Sequence, residues 1–178
     1  MPRRPGRCWH ASRVITSAAP SVLVVLAYAQ LAVACLRLAA IDLATHRLPD
    51  RIVFPATGAG AVLFTGSAAL SGEWATLLRA GLGAIVLFLF YLVLATASRE
   101  GMGFGDVKLA GLLGLHLAWA GWNSLAVGAV AAFLLGGVFS LVLVVTRRAT
   151  RTTRIPFGPW MIAGSLLGLA CGRMLGGG

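Results

Sequence analysis

The sequence predicts an all-α, polytopic membrane protein: a bundle of about six transmembrane helices. Three observations carry that prediction. Of 178 residues, 58% are hydrophobic and 11% charged, with a mean hydropathy of +0.88. A soluble domain needs about 25% charged residues to coat its surface. The apolar residues fall in continuous runs, and a helix needs roughly 20 of them to cross the hydrocarbon layer. The runs do not alternate with polar residues, which removes a β-barrel, and lipid offers the backbone no partner but itself. The same composition excludes a soluble globular domain and a disordered chain. Cys8, Cys35 and Cys171 are scattered, without a CxxC spacing, so neither a disulfide scaffold nor a zinc knuckle is expected.

The elements follow in order. Residues 1–20 read as a basic tail, and 21–176 as the six-helix domain. The first span is expected over 21–41. Ala32-Val33-Ala34 after a basic region has the look of a signal-peptide cleavage site, but the apolar run continues to Ile41, which suits a spanning helix better. Further spans are expected over 52–70, 77–97, 107–119 (short), 125–146 and 156–175. Small residues recur at Gly58 and Gly60, Gly81 and Gly83, Gly136 and Gly137, and Gly164 and Gly168, where helices can approach closely.

The net charge is +10. Its arginines cluster at the ends of apolar runs and have no aromatic residues interleaved on a basic face, so nucleic acid is not an expected partner. Basic residues near helix ends set orientation instead. One side collects Arg37, Arg47, Arg51, Arg99, Lys108, Arg147, Arg148, Arg151 and Arg154. The other collects Arg3, Arg4, Arg7, Arg13, Arg79 and Arg173. The first side is therefore expected to face the cytoplasm, with the last four arginines there fixing topology or touching anionic lipid. The tryptophans and the two tyrosines fit interfacial anchoring.

There are only five carboxylates: Asp42, Asp50, Glu73, Glu100 and Asp106. A carboxylate at membrane depth costs roughly 2.5–3.5 kcal/mol on insertion scales. Glu73 and Glu100 read as solvated loop residues. Asp42 ends the first span, Asp50 opens the second and Asp106 opens the fourth, so the topology puts all three at one face. Two carboxylates brought together share a proton, one serving as base and the other as acid, which is the chemistry of aspartic proteolysis. Gly103 and Gly105 are expected to supply backbone conformations closed to other residues and to let a substrate backbone lie close to Asp106. A plain glycine-rich loop with Asp106 as N-cap stands beside that reading. His46 follows Asp42 by four residues, half of a metal-ligand spacing, but no second half exists, so no metal is expected. His116 reads as a packed polar group in the fourth helix.

Gly101-Met102-Gly103-Phe104-Gly105-Asp106-Val107-Lys108-Leu109 resembles the GxGD motif of type IV prepilin peptidases, the leader peptidases. Ile41-Asp42 through Leu48-Pro49-Asp50 to Pro55 resembles that family's first aspartate motif, and Ile155-Pro156-Phe157-Gly158-Pro159 its last-helix motif. The resemblance implies an inner-membrane aspartic endopeptidase working without a cofactor. Prepilins or pseudopilins would be its substrates and membrane lipid its surroundings. It would cut short basic leaders at the cytoplasmic face. By position it carries Asp42 and Asp106 over as the catalytic pair. Asp50 matches an aspartate that orients the loop or helps recognise the leader. Lys108 matches a lysine that holds Asp106 or simply marks topology. Many members carry an N-terminal domain with paired CxxC zinc ligands, associated with N-methylation. Residues 1–20 hold no such motif, so a peptidase-only form is expected. A small proton- or cation-coupled transporter using the same aspartates is the competing reading, and a non-catalytic assembly subunit a third. No feature selects an oligomeric state.

Overall fold

The computed structural model describes residues 8–45, 48–97, 103–146 and 157–175, and every element among them is an α-helix. They are α1 (Cys8–Thr45), α2 (Asp50–Ser71), α3 (Trp74–Ala97), α4 (Phe104–Ala120), α5 (Trp122–Val145) and α6 (Gly158–Leu175). The predicted order and number hold. The largest boundary difference is at α1, which begins at Cys8, well inside the predicted tail; the other ends lie within four residues of expectation. Residues 8–19 contain neither glycine nor proline, so nothing stops the helix growing back from its apolar run. Pro20 lies inside α1, and Ser67 of α2 donates a hydrogen bond to its carbonyl at 3.1 Å.

Ala18–Thr45 of α1, together with α2, α3 and α5, is long and apolar enough to cross a membrane. α4 has 17 residues, and nearly every side chain from Asp106 to Trp119 is buried. Burial on nearly every side makes α4 the centre of the bundle, with the longer helices around it. The helices pair as three antiparallel hairpins, α1 with α2, α3 with α4 and α5 with α6. Two tight connections need glycine: Gly72 (φ 78°) closes α2, and Gly121 (φ 146°) joins α4 to α5. Arg79 donates to the Ala118 and Trp119 carbonyls at 2.8 and 2.9 Å, occupying the open acceptors at the end of α4.

Close approach uses one glycine of each predicted pair. A methyl group added at Gly60 would meet the His116 ring, at Gly83 the Ala118 side chain and at Gly136 the Phe157 ring. At Gly58, Gly81 and Gly137 it would meet nothing within 4 Å. Residues one or two apart on a helix point to different faces, so one packs and the other faces outward. Gly164 and Gly168 are the exception. They lie four apart, on one face, and both press on α5.

His116 is fully buried, as a packed polar group should be. Its Nδ1 lies 2.9 Å from the Leu112 carbonyl. With the proton there, Nε2 accepts from Gln30 Nε2 at 3.3 Å. Tyr28 donates to the His116 carbonyl at 2.9 Å. Phe64 stacks on Trp119 beside this cluster, 4.2 Å between centroids. The anchoring role predicted for the aromatic residues therefore fits Trp74 and Trp122, which are exposed, but not the buried Trp119 or Tyr91.

Replacing Gly114 by Ala puts a methyl group 2.6 Å from the Gly83 carbonyl oxygen, backbone against backbone. That substitution is expected to destabilise the protein by about 1–3 kcal/mol. Gly81→Ala is expected to be neutral or slightly stabilising, because Ala is the better helix former. Thermal melts of the two detergent-solubilised variants against the parent check both.

Candidate active site

On α1 the buried residues Leu31, Cys35 and Leu38 form one stripe, and Asp42 takes its next position. The stripe carries the acid inward: Asp42 is 4% exposed. Asp106 is the third residue of α4 and 8% exposed. Gly103 is the N-cap of that helix, in extended conformation (φ −75°, ψ 145°). The Asp106 amide donates to the Gly103 carbonyl at 3.0 Å, and its carboxylate accepts the Gly103 amide in return. Asp106 is thus not the N-cap that one reading allowed; it sits three residues further in.

The two acids come together. The charge of Asp42 acts on Asp106 across the gap between α1 and α4. Those two helices are held chiefly through α2 and α6. The third sequence motif closes the other side of Asp42. Gly158 opens α6, and a methyl group there would stand 2.6 Å from Asp42 Oδ2.

The glycines of the GxGD segment act differently from expectation. Among the described residues the only positive φ values are at Gly72 and Gly121, so neither Gly103 nor Gly105 supplies an unusual backbone conformation. Gly105 is needed for space: a methyl group there would lie 2.8 Å from Leu48 Cβ. Gly103 is exposed, and an added methyl group would meet nothing closer than 3.9 Å. Among the described residues, nothing covers Gly103 beside Asp106.

Lys108 does not reach Asp106. Its ammonium bonds both carboxylate oxygens of Asp50 at 2.7 Å and stands 5.4 Å from the centre of the Phe54 ring. Asp50 begins α2 and Lys108 lies two residues past Asp106, so this pair ties α2 to α4 at the mouth of the site.

Two residues close to the acids carried no site role in the sequence reading. Tyr91 of α3 is 1% exposed, stacks on Phe133 at 5.4 Å and lies 6.3 Å from Phe157. Gly158 was quoted only as part of a motif. Its signal was its place in the Phe157-Gly158-Pro159 turn, which no spacing rule connects to Asp42. His46, Arg47, Arg99, Glu100, Gly101, Met102, Ile155, Pro156 and the arginines at 147, 148, 151 and 154 lie outside the described residues.

Residues 29–141 match the type IV leader peptidase family, and that stretch holds Asp42, Asp50, Asp106 and Lys108. The chain belongs to this family. Phe157 and Gly158 lie past the matched stretch. A "Prepilin leader peptidase/N-methyltransferase" of Pseudomonas putida is 36% identical over 135 residues, 72% of this chain and 44% of that protein. Proteins of the same name from Pseudomonas aeruginosa and Escherichia coli K12 are 32% and 36% identical over 79% and 75% of this chain. They are covered over 47% and 58% of their own length. The chain spans about half the length of the curated relatives it matches. No solved structure matches it. Family and apolar helices together make this leader-peptidase relative a membrane protein.

The Asp50–Lys108 pair is partly exposed, with side chains 55% and 28% accessible. Solvent-exposed pairs couple by about 0.2–1 kcal/mol. A double-mutant cycle with Asp50→Ala and Lys108→Ala, read by thermal melting, is expected to give a coupling in that range that shrinks as salt is raised.

Proposed function

We propose that this chain is a membrane-embedded aspartic endopeptidase that removes the short basic leader from type IV prepilins or pilin-like subunits. It works at the cytoplasmic face of the inner membrane, with Asp42 and Asp106 as its catalytic pair. The observation that carries the reading is the convergence of these two buried acids, from the end of α1 and the start of α4, in a chain of the leader peptidase family. The relatives' names also include N-methyltransferase; the proposal covers the peptidase step.

The chemistry follows from the pair. Two carboxylates within reach of each other hold one proton between them at working pH. The ionised one takes a proton from a water molecule, and the resulting hydroxide attacks the scissile carbonyl carbon. The protonated one donates to the carbonyl oxygen. The tetrahedral carbon then expels the amine, which leaves with a proton from the pair. The apparent titration belongs to the two groups jointly. The excess of basic residues near this end favours a cytoplasmic orientation.

The transporter reading fits less well. Coupled transporters place their ion ligands near the bilayer midplane at broken helices. Asp42 and Asp106 instead sit in the last turn of α1 and the first turn of α4, and α4 runs unbroken behind Asp106.

The test is leader removal from a prepilin in membranes, followed by gel shift. Asp42→Asn and Asp106→Asn, each expressed normally, are expected to lose on the order of 10²–10⁴-fold in rate. Normal processing by either variant overturns the assignment. Gly158→Ala drives a methyl group against Asp42 and is expected to cost on the order of 10²-fold. The rate should peak at intermediate pH. It falls on the acid side as the second carboxylate takes a proton and the base is lost, and on the alkaline side as the shared proton leaves and the acid is lost.

A further inference from the structure

Tyr91 lies at the level of the two acids. The register of the α3–α4 hairpin sets that level: Gly114 faces the Gly83 carbonyl, and Gly111 faces Phe88 at 3.6 Å. The helices are antiparallel, so three residues beyond Phe88 the partner positions on α4 are those just after Asp106. The charge of Asp106 acts on the Tyr91 phenol, in agreement with that placement. On its other side the ring is held by Phe133, 29° from parallel, and by Phe157, whose neighbour Gly158 abuts Asp42. Tyr91 is therefore fixed between the surroundings of both carboxylates.

Its hydroxyl makes no hydrogen bond among the described residues. A buried phenol ordinarily finds a partner. The ring is locked and the site is polar. A neutral donor also suits this place for a reason of charge. A lysine or arginine so close would hold both carboxylates ionised and remove the shared proton. A phenol adds a hydrogen bond without a charge.

We propose that the Tyr91 hydroxyl donates a hydrogen bond to the scissile carbonyl oxygen as the tetrahedral intermediate forms, making Tyr91 a third catalytic residue of the peptidase reaction. The inference rests on the peptidase reading above. The attacking water forms the new C–O bond, and the carbonyl π pair moves onto the oxygen. That oxygen takes its proton from the protonated carboxyl, while Tyr91 keeps its own proton and stabilises the developing charge. When the intermediate collapses, the C–N bond breaks, the amine leaves with a proton from one carboxyl, one hydroxyl of the intermediate returns its proton to the other carboxylate as the C=O reforms, and the hydrogen bond is released.

The experiment uses the full chain in detergent or vesicles with a prepilin substrate. Tyr91→Phe deletes the hydroxyl and keeps the ring. It is expected to lower kcat by on the order of 10²–10³-fold, the usual cost of an oxyanion donor. KM and melting temperature should stay close to those of the parent. Phe133→Leu damages the ring packing and keeps the hydroxyl; its kcat should fall far less. A Tyr91→Phe kcat near the parent's overturns the proposal. So does an equal loss in Phe133→Leu, or a shifted pH profile with full maximal kcat, which would mean that Tyr91 positions Asp106 instead. If the parent chain cuts and Asp106→Asn does not, any such failure belongs to Tyr91 alone. A parent that cannot cut overturns the peptidase reading, and this inference with it.

Discussion

The constraint behind this structure is the burial of two like-charged carboxylates at one end of an apolar bundle. Each carries a solvation penalty, and each raises the cost of ionising the other. Asp106 is placed where that penalty is smallest, in the first turn of α4, facing the helix's positive end and accepting the Gly103 amide. Asp42 stands in the last turn of α1, away from any helix N-terminus, and is packed by Gly158. Such a pair is stable with one proton shared and unstable with none. The state that folding tolerates is the one that the proposed hydrolysis needs.

The far end of the bundle holds this geometry in place. α1 and α4 are not closely packed backbone to backbone, so their relation depends on the hairpin partners and on side chains that cross between them. Tyr28 and Gln30 of α1 reach His116 of α4, and Gly60 of α2 leaves room for the imidazole. Interhelical hydrogen bonds within membranes are individually modest, about 0.6 kcal/mol on average, so they fix register more than they add stability. Register matters here because a rotation of α4 by one residue would turn Asp106 away from Asp42. His116 shares a face with Leu112 and Leu109, so fixing the imidazole fixes the orientation of the whole central helix.

Much of the fold was legible in the sequence. Continuous apolar runs located all six helices, and the scarcity of acids singled out Asp42, Asp50 and Asp106 as belonging to one end. The short fourth run was read correctly as a helix, though only the structure shows why it is short: it is the buried centre. What could not be read is what depends on which way a residue faces. The glycine pairs looked equivalent, yet one member of most packs and the other does not. Lys108 lay nearest Asp106 in sequence but turns to Asp50 across a helix boundary. Gly103 and Gly105 were credited with backbone freedom, whereas Gly105 is there for Leu48. Composition alone makes Tyr91 an interfacial anchor, as tyrosines in membrane helices often are; the register of α3 against α4 buries it at the level of the acids instead.

The Asp50–Lys108 pair acquires a second meaning from the charge argument. Lys108 is two residues from Asp106 on the same helix, and a free ammonium there would be a cation close to the pair. Both of its short hydrogen bonds go to Asp50, with the Phe54 ring beside it. Its positive charge is matched by a third carboxylate and kept from neutralising the other two. A site that works by sharing one proton between two acids must keep strong cations away from them and take its hydrogen-bond donors from neutral groups. The arrangement of Asp50, Lys108 and Tyr91 meets both requirements. It also gives a physical reason for three aspartates at this end of the bundle where the proposed chemistry uses two.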